Sequence, residues 1–226
     1  MGWLVIGALV WIGVHIGIAG SPLRARFTAR LGEQGFRGGF AVLSIVVIAY
    51  LIVAYIHTPT IVLWTAPAWL RWLLVMVMLP AFLLFAASLL TRSPTAVGGE
   101  TALAQQPRGI LRITRHPMLW SYTLWAAVHV IGNGDLASLL FFGAFLVTAL
   151  AGMPSIDGKV AARNPVGWER FAAATSIVPF GAIHDGRNQF VAAEIGILPV
   201  AIGVLLWAVL LWAHPHIFGV SAVPAG

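Results

Sequence analysis

The chain has 226 residues, of which 60% are hydrophobic and 9% charged, with a mean hydropathy of +0.93. A soluble domain carries roughly 25% charged residues; too few polar groups are present here to cover a water-facing surface, which excludes a soluble globular enzyme and a disordered chain. The formal net charge of +6 would suit nucleic-acid binding, but the thirteen Lys and Arg fall in short connectors between apolar runs, a pattern of membrane orientation. With no cysteine there is no disulfide framework, thiolate metal site or cysteine nucleophile.

A membrane span needs about 20 mostly apolar residues, within roughly 17–25. Six segments are predicted to qualify: Trp3–Ala19, Gly39–Ile56, Ala68–Leu90, Met118–Ile131, Leu136–Gly152 and Val191–Ala213. The fourth is the shortest and must borrow from the flanking Arg112–Pro117 stretch. No small-residue cleavage site follows the first run, so it reads as a retained helix. Uncharged runs in lipid must satisfy their backbone groups internally, so the expected fold is an all-α, polytopic membrane helix bundle.

The charges sort by connector. The first holds Arg24, Arg26, Arg30 and Arg37, the third Arg92, Arg108, Arg112 and Arg115, and the fifth Lys159, Arg163, Arg170 and Arg187. Arg71 lies just inside the third span. The basic side of a six-span chain is then cytoplasmic and both termini lie on the outer side, as for a multi-pass protein of a bacterial inner membrane. The whole chain, 1–226, reads as one transmembrane domain. Its long fifth connector, Pro154–Phe190, carries an amphipathic interfacial stretch around Trp168, Glu169, Arg170 and Phe171. Arg92–Pro107 reads as a mobile loop and the tail after His216 as disordered. Asn133-Gly134-Asp135 reads as a tight outer turn in which Asp135 caps the following helix.

Ionisable groups inside a span are costly and mark functional candidates. Two stand out: His15, in Gly13-Val14-His15-Ile16-Gly17, and His129, each with a tryptophan one turn earlier, Trp11 and Trp125. The glycines beside His15 let a flat group approach closely. Two imidazoles on different helices can hold a haem iron between them; the alternative is that each histidine hydrogen-bonds a neighbouring helix. His57, His214 and His216 sit at outer ends of spans, where solvation explains them, and His184 lies in a polar connector. Arg112 and Arg115, one turn apart, are placed to face lipid phosphate or a bound anion, or simply to anchor the interface ahead of Pro117 at a first helical position.

The stretch Gly109-Ile110-Leu111-Arg112-Ile113-Thr114-Arg115-His116-Pro117, followed by Trp125 and His129, resembles the NnrU and 15-cis-zeta-carotene isomerase family. So do Thr175-Ser176-Ile177-Val178-Pro179-Phe180 with Gly186-Arg187, Gly13-Val14-His15, and Ala213-His214-Pro215. The resemblance implies a haem b protein whose iron ligands fall on His15 and His129, also the expected catalytic pair, with Trp11, Trp125, Arg112, Arg115 and His116 around the cofactor. Where the plant enzymes carry a cysteine three residues before the second histidine, this chain has Ala126, so exchange of histidine for its own thiolate is closed to it. At about 1.5 Å per residue, His15 lies about 6 Å from the inner end of its span and His129 about 18 Å from Pro117. His116 matches the depth of His15 better and is the reserve ligand.

Three functions follow. The first is redox-gated cis–trans isomerisation of a polyene or similar lipophilic substrate, with a membrane-lipid environment, an unidentified electron donor and no nucleic-acid partner. A reduced iron would lower double-bond character, and Trp11, Trp125, Tyr122 and Phe141 would line the substrate's path. The second is a haem redox or nitric-oxide-related protein of denitrification without isomerase activity. The third is an S-adenosylmethionine-dependent membrane methyltransferase, because the Arg-His-Pro element also resembles such enzymes and Glu169 lies downstream of it.

Overall fold

A computed structural model describes residues 1–96 and 98–224. In chain order its α-helices are α1 (Gly2–Ile12), α2 (Leu23–Ile56), α3 (Ala68–Leu90), α4 (Ile110–Ile113), α5 (Pro117–Asn133), α6 (Leu136–Arg163), α7 (Pro165–Ala173), α8 (Gly181–His184) and α9 (Ile197–Phe218). The α1 helix continues through a wider π-helical stretch, Gly13–Ala19, and single 3-10 turns cover Glu100–Ala104 and Ala192–Glu194. There is no β-strand among the described residues, only an isolated bridge between Val62 and Asp135.

Five of these helices are long and apolar enough to cross a membrane: α1 with its π extension, α2, α3, α6 and α9. The expected fourth span is α5, whose 17 residues sit at the lower limit for crossing. Their outward faces carry bare apolar side chains such as Trp3, Ile45, Trp69 and Leu205, which lipid solvates at no cost.

Several boundaries differ from the expectation. The α2 helix begins at Leu23, so the first basic connector is itself helical, and Gly32 (φ 71°) breaks it away from the apolar part. Glu33 there pairs with Arg24 and Arg37. The α6 helix runs eleven residues beyond Gly152, through Pro154 to Arg163, because Met153, Asp157 and Val160 still face the interior and bury there. The long connector therefore starts at Asn164, whose side chain caps α7. The last span starts later and ends later, at Ile197–Phe218. The Arg92–Pro107 stretch is partly ordered, since Ala102 is buried and Leu103 joins the cluster that holds Val160 and Phe171; Val97 within it lies outside the described residues. The tail also folds back, with the carbonyl of Val220 accepting from His214 and that of Ser221 from Arg71. Ala225 and Gly226 lie outside the described residues.

Helix α6 is central and packs on α1 and α5; α3 packs on α5 and α9. Small residues permit the closest approaches, as expected where lipid supplies no hydrophobic force between helices. A Cβ at Gly203 of α9 would stand 2.9 Å from the Cα of Leu83 in α3, and one at Gly7 of α1 would stand 2.9 Å from Leu51.

The basic connectors gather at one end of the bundle. Lys159 Nζ donates to the Ala19 carbonyl at 2.8 Å and Ser155 Oγ to that of Gly20 at 3.3 Å, joining α6 to the first connector. At the opposite end Leu63 and Trp64 N–H donate to Gly134, and Leu136 N–H to Ile61, so the second connector is stitched to the α5–α6 turn. That turn matches its expectation: Gly134 takes φ 67° and Asp135 Oδ1 accepts from Ser138 N–H at 2.9 Å.

Candidate functional site: an aromatic row and a buried ion cluster

The two intramembrane histidines are joined by a row of rings. His15 lies against Trp11 (centroids 3.9 Å), Trp11 against Phe145 (4.6 Å), Phe145 against Trp125 (5.4 Å) and Trp125 against His129 (5.5 Å). Helix periodicity builds it: each tryptophan sits four residues before its histidine on one face, and α6 supplies the bridging phenylalanine. The row is fixed by Trp11 Nε1, which donates to Thr148 Oγ1 at 3.1 Å. Phe142 stacks on His129 at 4.6 Å, while Phe40 meets His15 edge-on at 5.3 Å. Phe141 packs beside Phe142 and Phe145, but Tyr122 is 43% exposed on the outer face of α5 and takes no part.

Both histidines are oriented alike. Nδ1–H of His15 donates to the Trp11 carbonyl at 2.9 Å, and Nδ1–H of His129 to that of Trp125 at 2.7 Å. A carbonyl only accepts, so each neutral ring keeps its lone pair on Nε2, the orientation in which imidazole binds metal. His15 lies in the π-helical stretch, a geometry often found at functional sites. A Cβ built on Gly13 or Gly17 meets nothing within 4 Å, so the flanks of His15 are open.

The donor chemistry and apolar surroundings fit haem; in the row, the rings of Trp11, Phe145 and Trp125 stand between His15 and His129. One iron holds two imidazole nitrogens about 4 Å apart, twice a metal–nitrogen bond of about 2 Å. His129 is level with Phe142 of α6, whereas Trp11, a turn outward of His15, already reaches Thr148. Six residues of helix are about 9 Å of rise. The ring nearest His129 on another transmembrane helix, besides Phe142, is His214 of α9, with centroids 6.5 Å apart and planes at 22°.

The remaining expected site residues lie elsewhere, at the basic end. Arg115 Nε donates to Asp157 Oδ2 at 2.9 Å, His116 Nε2 lies 2.7 Å from Asp157 Oδ1, and the Arg115 guanidinium stacks over Trp168. His116 is 2% exposed and its Nε2 is engaged by the carboxylate, which removes that nitrogen as a reserve iron donor. Arg112 donates twice to Glu194, at 2.7 and 2.9 Å, and once to Asn188 at 2.6 Å. Glu194 also accepts from Gly109 N–H; these bonds, with Arg112 the stronger, hold its carboxyl down to about 2. Both arginines thus make several hydrogen bonds within the chain.

The two long motif stretches lie side by side at this end. Arg115 N–H donates to Ser176 and Phe180 N–H to Ile113, while Thr114 Oγ1 and Trp120 Nε1 both donate to the Ile177 carbonyl at 2.8 Å. Arg187 and Asn188 donate to the carbonyls of Ala173, Ala174 and Thr175, closing the end of α7. A cavity of about 290 Å³ opens beside Arg112, Arg187 and Asn188, away from the aromatic row. Glu169 is exposed on α7, and the carboxylates that meet the arginines are Asp157 and Glu194.

Asp157 and Glu194 escaped the sequence reading, and His214 was read there only as an end-of-span residue and part of a motif. The first two are acidic residues in a chain with only seven Asp and Glu, and that scarcity was the available signal.

The chain is similar to the chloroplastic 15-cis-zeta-carotene isomerase of Arabidopsis thaliana, 28% identical over 131 residues, which are 54% of this chain and 36% of that protein. It is similar to the same-named protein of Zea mays, 28% identical over 125 residues, 51% of this chain and 34% of that one. The matched segment is thus about a third of the length of these relatives. No solved structure matches the chain. The family model described as NnrU protein matches residues 3–222, nearly the whole chain, and the chain belongs to the NnrU family.

Proposed function

We propose that this chain is a haem b protein of a bacterial inner membrane that isomerises a polyene, or a comparably long lipophilic substrate, under redox control. The observation that carries this reading is the row of rings from His15 through Trp11, Phe145 and Trp125 to His129. A flat conjugated molecule packs on such faces without displacing hydrogen-bonded water, and the row runs along the depth of the bundle. The named relatives, which are zeta-carotene isomerases, support a polyene as the substrate class.

His129 is the histidine assigned to the cofactor, its Nε2 freed by the Nδ1–H bond to Trp125. When bound, haem supplies an iron centre that can change oxidation state beside a conjugated double bond. The chain's own residues hold the imidazole, exclude water and present aromatic faces to the substrate. Ala126, fully buried next to Trp125, leaves no thiolate to compete for the metal.

The test is to purify the protein, record its absorbance and incubate the reduced form with tricis-zeta-carotene. A haem spectrum and an isomerised product are expected. A haem spectrum with no product favours the second reading, a redox or nitric-oxide-related protein without isomerase activity, which the limited coverage of the plant enzymes keeps in play. No haem after growth with excess precursor, and none on reconstitution, overturns both.

A further inference from the structure

We propose that the imidazole opposite His129 on the metal is His214 of α9, so that the haem lies between α5 and α9 near the end of the bundle remote from the basic connectors. The inference rests on the haem reading above and replaces His15 as its second ligand.

Geometry comes first. The His129 and His214 rings are 6.5 Å apart, centroid to centroid, and their planes differ by 22°. Two metal–nitrogen bonds of about 2 Å, with a little over 1 Å from each nitrogen to its ring centre, span about 6 Å. The two rings are too far apart to hydrogen-bond or stack directly, and at the separation one metal between them requires.

Orientation comes second. Nδ1–H of His214 donates to the Val220 carbonyl at 2.7 Å, as Nδ1–H of His129 does to Trp125. The bond to Val220 exists only because Gly219 takes φ 71° and turns the chain back over the helix end. Both rings therefore keep their lone pairs on Nε2, the arrangement in which an outer hydrogen bond sets a ligand's tautomer and raises its basicity. Solvation of a histidine at a helix end requires neither the turn nor the matched tautomers.

The donor count comes third. There is no cluster of three or more His, Asp or Glu among the described residues that would hold a bare ion. Zinc takes three or four protein ligands. Two imidazoles are a complete protein contribution only where a planar macrocycle fills the other four positions, as in haem. The surroundings suit it, with Phe142 on His129 (4.6 Å) and Phe218 on His214 (4.8 Å). Helix α9 packs mainly on α3 and α5 mainly on α3 and α6, so α5 and α9 are not closely packed on each other.

The experiment titrates ferric haem b into the full-length protein in detergent and reads visible absorbance and low-temperature electron paramagnetic resonance. Wild type is expected to give a low-spin, six-coordinate spectrum. His214→Ala and His129→Ala should each turn high-spin, with affinity down roughly tenfold or more, while His15→Ala stays low-spin. His214→Gly should recover the low-spin signal on adding imidazole, which separates a lost ligand from a lost fold. A His15→Ala spectrum that turns high-spin, or a His214→Ala spectrum that stays low-spin, overturns the proposal and leaves the haem reading standing. Absence of any haem uptake by wild type overturns the haem reading itself.

Discussion

Replacing Asp157 with alanine tests the buried cluster most directly. Its carboxylate receives Arg115 Nε at 2.9 Å and His116 Nε2 at 2.7 Å, with the side chains of Arg115, Asp157 and His116 only 13%, 12% and 1% exposed. Removing it leaves a guanidinium held by Thr175 and the face of Trp168, away from water. Breaking one side of a buried ion pair costs about 3–5 kcal/mol. For a chain of this size that lowers Tm by roughly 6–20 °C. Thermal melting followed by size-exclusion chromatography in detergent measures it. The double variant Arg115→Met, Asp157→Leu removes the stranded charge and should melt above Asp157→Ala. The reasoning is refuted if Asp157→Ala melts within about 2 °C of wild type, or if the double variant melts lower still.

Other expectations are as direct. Glu194 has a folded pKa near 2 against 4.5 for the free group, so its contribution is complete above 4.5 and disappears as pH falls through about 2. Proteolysis of the 164–196 segment should accelerate across that window, and Glu194→Gln should abolish the dependence. Gly203→Leu inserts a side chain where a Cβ already stands 2.9 Å from the Leu83 backbone; it should loosen α9 at a cost of about 1–3 kcal/mol, read as faster hydrogen exchange along α9. Gly134→Ala puts a Cβ 2.1 Å from the Trp64 carbonyl at φ 67°, and should lower Tm more than Asp135→Ala, whose lost cap costs about 1 kcal/mol.

Much of the fold was legible in the sequence because lipid imposes a length and a composition on each crossing. The apolar runs located five crossing helices and the shorter α5, and Ala68–Leu90 agreed end to end. Helix ends were less legible where polar residues bury, as for α6, whose Asp157 reads as the start of a connector until Arg115 is seen beside it. The motif stretches were legible as motifs, but not as a mutual clamp between residues about sixty positions apart.

The sequence by itself determined that this is a helical membrane chain, that its basic connectors share one end, and that His15 and His129 each carry a tryptophan one turn back. These follow from hydropathy, charge and helical period, which are local properties. Only the tertiary structure decided which polar groups meet: Arg112 with Glu194, His116 with Asp157, and Arg115 with that same carboxylate. Such pairings depend on the relative depth and rotation of helices set by close contacts such as Gly203 on Leu83, and no periodicity within one helix encodes the register of another.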